Sequence, residues 1–251
     1  MVYKWDLHIP KLSPELSRRA YLYLPAGYDE QPDRRFPVMY MFDGHNVFFD
    51  EDATYGKSWG MARYLDETQT PLIVAAVECN SIGNNRLEEY CPFTCEDPKL
   101  GVIRGRGRAT MNWFVHEFKP MIDANIRTLS DRSNTFICGS SMGGLMSLYA
   151  ATAFNATFGK AACLSPSLWL GVGKMRRIIN QADIAPDTLI YMDYGGEEMA
   201  NHAANLSALT SCSTALLKKG VDLTFRIAPG GTHCEASWER QIPVFMKCLG
   251  F

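Results

Sequence analysis

Thr135-Phe136-Ile137-Cys138-Gly139-Ser140-Ser141-Met142-Gly143-Gly144-Leu145-Met146-Ser147-Leu148-Tyr149 runs from an apolar β-type stretch through Gly-x-Ser-x-Gly into a helix pattern. That is the strand, elbow and helix context in which a serine is held on a sharp, strained turn at the end of a strand. Such a turn needs neighbours without Cβ atoms, so that helix and strand can approach closely. Ser141 is therefore the candidate nucleophile. The pentapeptide alone fits a structural Gly-Ser turn ahead of a helix equally well, so its weight comes from what lies elsewhere in the chain.

Outward from the elbow, apolar runs of strand length recur at 3–9, 19–24, 37–42, 72–79, 135–139, 160–164, 188–194 and 222–228. Helical patterns fall at 58–68, 110–127, 142–154, 173–181, 197–219 and 233–249. The alternation predicts an α/β fold: a mostly parallel eight-stranded sheet with helices on both faces. No helix separates the first two runs, so they form an antiparallel start joined through residues 10–17. Met111, Phe114, Val115, Phe118, Met121 and Ile122 repeat at the spacing of one apolar helix face. No repeat or linker divides the sequence, and a single domain over 1–251 is expected. The longest irregular segment is 80–107. Within it Arg104-Gly105-Arg106-Gly107-Arg108 follows no strand and lacks the Lys-Ser/Thr pair of a nucleotide loop, so it reads as a solvated basic turn.

With 47% hydrophobic and 21% charged residues the composition is that of an ordinary globular chain. A net charge of −2 gives no electrostatic footprint for nucleic acid or an anionic membrane. No stretch reaches the roughly 18–20 uncharged apolar residues of a membrane span. Neither nucleic acid nor membrane is expected as a partner, and Met1-Val2-Tyr3-Lys4-Trp5-Asp6, without a basic-then-apolar leader, points to a cytoplasmic protein. Most of the eight cysteines lie in apolar segments and read as free, buried thiols. Cys91 and Cys95, four apart in a Pro-containing loop, lack the further ligands a metal site requires.

A serine hydroxyl is a poor nucleophile at neutral pH unless a base stands beside it and a third group orients that base. Of five histidines, His233 is placed for the role, in the flexible turn Pro229-Gly230-Gly231-Thr232-His233 directly after the last strand. The acid should follow a strand between nucleophile and base. Leu189-Ile190-Tyr191-Met192-Asp193-Tyr194-Gly195-Gly196-Glu197-Glu198 ends a strand in a Gly-Gly turn, and Glu198, Glu197 and Asp193 compete. Position past the turn favours Glu198, since Asp193 is still inside the strand pattern. The oxyanion of acyl transfer needs preorganised N–H donors. One is the backbone of Met142; the other comes from Asp43-Gly44-His45-Asn46 after the third strand, with His45 cast for its N–H and Asn46 for contact to substrate. Such a constellation requires no metal or organic cofactor.

These residues, with Tyr40-Met41-Phe42-Asp43-Gly44-His45-Asn46-Val47-Phe48, Ser165-Pro166-Ser167-Leu168-Trp169 and Gly231-Thr232-His233-Cys234-Glu235-Ala236-Ser237-Trp238, resemble the Putative esterase family of α/β-hydrolases. That family contains esterase D (S-formylglutathione hydrolase), feruloyl and acetyl-xylan esterases, enterobactin esterases and mycolyltransferases. The resemblance runs from about Arg19 to the C-terminus. It implies the α/β-hydrolase fold, Ser141 as nucleophile, His233 as base, Glu198 as acid, and Met142 with His45 as oxyanion donors. It also implies that Trp169 is an aromatic near the active site, and that Arg86-Leu87-Glu88-Glu89-Tyr90 lies beside it with a structural Arg–Glu pair. Many members have Asp as the triad acid, whereas only glutamates follow the turn here. The expected function is a serine hydrolase of carboxylic esters acting through an acyl-enzyme on an acylated sugar or another small-molecule ester. Acyl transfer or thioester hydrolysis would share the acyl-enzyme, and a catalytically silent ligand-binding module is the alternative outside that class. A homo-oligomer is compatible with the sequence.

Overall fold

The computed structural model describes residues 1–198 and 202–251. Its strands are β1 (Val2–Ile9), β2 (Ser13–Tyr23), β3 (Val38–Met41), β4 (Ile73–Val77), β5 (Cys95–Asp97), β6 (Gly101–Ile103), β7 (Thr135–Ser140), β8 (Lys160–Leu164), β9 (Leu189–Gly195) and β10 (Asp222–Ala228). Eight of them make one sheet in the order β1-β2-β4-β3-β7-β8-β9-β10, while β5 and β6 form a separate hairpin. The pairings of β1 with β2 and of β2 with β4 are antiparallel; all others in the large sheet are parallel. This is the expected α/β architecture with its antiparallel start.

The central strands read as unbroken apolar runs because both of their faces are covered. Along β3, Val38 and Tyr40 join one hydrophobic layer with Ile73, Ala75 and Ile137, while Met39 and Met41 join the other with Val74, Ala76 and Phe136. The helices are α1 (Met61–Thr68), α2 (Asn85–Glu89), α3 (Gly107–Trp113), α4 (Lys119–Asn125), α5 (Met142–Ala153), α6 (Val172–Gln181), α7 (His202–Lys218), α8 (Glu235–Glu239) and α9 (Ile242–Leu249). Apolar residues of α3 to α7, such as Met111, Leu145, Met175 and Leu209, cover the first layer. Met61 and Leu65 of α1, with Ile242 and Phe245 of α9, cover the second.

Several boundaries differ from the sequence reading for identifiable reasons. β2 starts at Ser13, because a tight turn closed by Leu12 N–H donating to Ile9 C=O at 2.9 Å replaces the expected connection through residue 17. The helix expected from residue 58 starts at Met61, since Ser58 N–H and Oγ both donate to Asp50 at 2.7 Å and Gly60 takes a φ of 63°. The long helix over 110–127 is two α segments separated by a π turn at Phe114–Phe118, immediately ahead of Pro120, which has no N–H to give and would clash with a regular turn. The closing helix over 233–249 is broken into α8 and α9, with Pro243 in the first turn of the latter. Segment 80–107 is not irregular throughout: it holds α2 and the β5–β6 hairpin. Of the helix expected over 197–219, residues 199–201 lie outside the described residues, and α7 covers most of the remainder. The arginine run is tied into the fold, with Arg106 donating to the carbonyls of Leu12 at 2.8 Å and Lys11 at 2.6 Å.

Candidate active site

Parallel strands point their carboxyl ends the same way, and the loops leaving β3, β7, β8, β9 and β10 bring Asp43, Ser141, Ser165, Glu198 and His233 to one edge of the sheet. Ser141 stands between β7 and α5 with φ 57° and ψ −117°. A residue with a Cβ at positive φ is strained by roughly 1–3 kcal/mol, so the surroundings must over-determine it. They do. Its N–H donates to Leu164 C=O at 2.9 Å, and its C=O accepts from Ser167 N–H at 3.0 Å and from Leu145 N–H at 3.0 Å. A Cβ on Gly139 would come within 2.7 Å of the Gly143 backbone, and one on Gly144 within 2.6 Å of Leu164 O. Met142 opens α5, where the first N–H groups have no helical acceptor and are free for a ligand.

His233 Nδ1 lies 2.9 Å from Glu198 Oε2. The other carboxylate oxygen accepts from Gly195 N–H at 2.9 Å and from the Ser165 hydroxyl. Ser165 Oγ also accepts from Trp238 Nε1 at 3.1 Å, and since an indole N–H can only donate, the serine proton must go to Glu198. Trp238 meets the His233 ring edge-on at 5.0 Å between centroids, fixing the imidazole from a second side. Burial pushes the Glu198 carboxyl up, but the hydrogen bonds from His233, Ser165 and Gly195 outweigh it and hold it below the usual range. Glu197 is exposed. The side chain brought to His233 is thus that of Glu198. Ser165→Ala should lower kcat/KM about tenfold, because it frees one oxygen of that carboxylate and strands a buried indole N–H. An unchanged kcat/KM on a p-nitrophenyl ester would show that the hydroxyl holds nothing the reaction uses.

Asp193 is buried one step further back. Its Oδ2 accepts from Tyr191 OH at 2.8 Å and its Oδ1 from Ser165 N–H at 3.2 Å. Burial, against the opposing help of those two bonds and with Glu198 nearby, leaves its carboxyl pushed up to about 6. A raised acid favours the folded state while protonated. Its contribution is complete below the ordinary Asp value of about 4 and is lost as pH rises through about 6, a swing of about 3 kcal/mol. Asp193→Asn, which removes the charge and keeps an acceptor, should therefore raise the melting temperature at pH 8 and have little effect near pH 4. Equal gains at both pH values would show that ionisation is not the cause.

Ser141 and His233 line one cavity of about 540 Å³, together with His45, Asn46, Arg86 and Glu235. No hydrogen bond joins Ser141 to His233 among the described residues; Ser141 Oγ sits 3.3 Å from Ser167 Oγ instead. His45 and Asn46 occupy a short 3₁₀ turn after β3, and Asn46 donates to Glu235 at 3.2 Å. Asp43, at φ 56°, is bound by Arg86 through two bonds of 2.7 Å. The expected Arg–Glu pair within Arg86-Leu87-Glu88-Glu89 does not form, because Arg86 turns to Asp43 and Glu89 pairs with the buried Arg18. Trp169 is 42% exposed and borders a small depression with His233 and Glu198, separate from the main cavity. The sequence reading missed Ser165, Arg86's partner and Glu235. Ser165 has a signal in retrospect, as the polar residue ending an apolar strand before Pro166.

One group of three potential metal ligands exists among the described residues, with atoms of Asp43, His45 and Cys79 within 4.8 Å of one another. The donor set suits a cation poorly: Arg86 already occupies both Asp43 oxygens, and burial first, then Asp43, holds the Cys79 thiol protonated. Among the described residues no helix is long and apolar enough to cross a membrane.

Residues 13–247 match a family model described as Putative esterase. The chain is 26% identical over 185 residues to the Uncharacterized protein YbbA of Bacillus subtilis (strain 168), covering 72% of this chain and 69% of that one. Its fold resembles an IroE-like serine hydrolase from Shewanella oneidensis, with a TM-score of 0.76 at 19% identity over 99% of this chain and 79% of the other. It also resembles the BES protein from Bacillus cereus, with a TM-score of 0.74 at 19% identity over 100% and 95% of the two chains. An S-formylglutathione hydrolase from Agrobacterium tumefaciens gives a TM-score of 0.72 at 15% identity over 99% and 94%. At these identities the likeness to the solved structures is one of fold.

Proposed function

The chain belongs to the Putative esterase family, and we propose that it hydrolyses carboxylic esters through a covalent acyl-enzyme on Ser141, with residues 1–251 acting as one domain. The carrying observation is the 2.9 Å bond from His233 to a buried carboxylate, at the rim of the cavity that also holds a serine strained at φ 57°. The reaction requires Ser141 Oγ to leave Ser167 for the imidazole, and contacts of that kind commonly form or tighten only when substrate is bound. As Oγ attacks the acyl carbonyl, His233 Nε2 takes its proton and Glu198 stabilises the imidazolium. Charge gathering on the carbonyl oxygen is met by the backbone N–H groups of Met142 and His45. His233 then protonates the departing alcohol, and a water activated by the same nitrogen releases the acid. Asn46 faces substrate in the main cavity, and Trp169 lines the smaller depression on the other side of His233. Polar side chains such as Asn46, Asn80, Asn84 and Glu235 on the wall of a cavity of about 540 Å³ favour a small, polar ester, an acylated sugar among them.

A fluorophosphonate probe tests this reading. One adduct on Ser141, matched by loss of turnover, is expected; a protein that neither labels nor hydrolyses p-nitrophenyl acetate is a ligand-binding module of the same fold. Turnover should persist in EDTA. Loss in chelator that added metal restores would refute the mechanism.

A further inference from the structure

Glu235 takes no part in the steps above, yet it lines the same cavity as Ser141 and His233 and is 6% exposed. Its Oε1 accepts from Asn46 Nδ2 at 3.2 Å, a neutral partner. No lysine or arginine forms a salt bridge with it among the described residues. Arg86, the one such cation lining the cavity among those residues, is committed to Asp43 by two bonds of 2.7 Å and cancels that charge. The remaining sum is negative: Glu235 is uncompensated, and Glu198 adds a second carboxylate directly behind His233. Burial, helped by Asp43, raises the Glu235 carboxyl against the opposing pull of its own backbone N–H, His233 and Arg86. Buried carboxylates are ordinarily paired, and here the space beside the unpaired one is the space a substrate occupies.

We infer that Glu235 is the binding site for a positively charged group of the substrate, an ester that carries a protonated amine close to the bond cleaved. The inference rests on the esterase reading for the word substrate, though the cation site itself does not depend on turnover. The same field disfavours anionic esters, because a carboxylate entering the cavity would face Glu235 with no free arginine to receive it. A purely structural role, with Glu235 holding Asn46 and through it the Thr54 N–H that donates to Asn46 Oδ1 at 3.0 Å, would make no distinction between ligand charges.

Benzylammonium, benzyl alcohol and benzoate share one ring and differ in charge. Their affinities for the native protein can be measured by ligand-observed NMR, which requires no catalysis, with p-nitrophenyl acetate hydrolysis followed in parallel. Benzylammonium should bind about tenfold more tightly than benzyl alcohol, with benzoate weakest. In Glu235→Gln the first two should come within about twofold of each other. The inference is overturned if benzylammonium does not bind, if benzyl alcohol or benzoate binds as tightly, or if the native order survives in Glu235→Gln. The expected order with no hydrolysis of p-nitrophenyl acetate would leave the cation site standing and fell the esterase reading alone.

Discussion

Ser141→Ala should reduce ester turnover by about 10³-fold or more while leaving a folded protein, and His233→Ala should do the same. The magnitude follows from what each removal takes away. Without Oγ there is no acyl-enzyme, and water must attack unaided; without the imidazole, Oγ keeps its proton and the alcohol leaves without one. The two losses should not add, since base and nucleophile act as one unit, and the double variant should resemble either single one. Folding should tolerate both changes. Alanine at 141 still occupies φ 57°, and the backbone bonds to Leu164, Ser167 and Leu145 that fix the turn use no Oγ atom. Activity on p-nitrophenyl acetate together with thermal melting measures both parts. Turnover by Ser141→Ala within about tenfold of the native rate would defeat the assignment.

The elbow was legible because its constraint is local: a serine at positive φ between close-packed elements permits few sequences, and Gly139 and Gly144 are where a Cβ would collide. The central strands β3, β4, β7, β8 and β9 were legible because burial on two faces leaves continuous apolar runs. What escaped was set by partners distant in sequence. The first half of β2, from Ser13 to Arg18, is mostly polar yet pairs with β1, so hydropathy alone misses it. Both strands of the β5–β6 hairpin are three residues long and carry charges or glycine. Arg86 could be seen to need an acid, but the nearest in sequence was the wrong one, because the turn after β3 delivers Asp43 from 43 positions away. Glu235 carries no pattern of its own, and the polar Ser165 after an apolar strand acquires meaning only from where β8 ends, as Glu235 does from where α8 begins.

The choice among three acids shows the same division between local and distant information, and it yields the second large effect. Glu198→Gln should lower kcat by about 10²- to 10⁴-fold, while Glu197→Gln stays within about twofold of native. Glu197 is exposed, whereas Glu198 is the carboxylate bonded to His233 Nδ1. The amide would be forced into a poor choice. Oε1 accepts from both Gly195 N–H and Ser165 Oγ, so a glutamine there must place its oxygen at that position and turn its NH₂ toward His233. An NH₂ facing Nδ1 selects the tautomer with the proton on Nε2, and that nitrogen can then no longer take the proton of Ser141. Asp193→Asn leaves this geometry intact and should cost far less activity, although it alters stability at high pH. Steady-state kinetics of the three variants on one ester gives the ranking. If Asp193→Asn or Glu197→Gln proves the most damaging, Glu198 is not the acid, and the Ser141–His233 pair would need another partner at the end of β9.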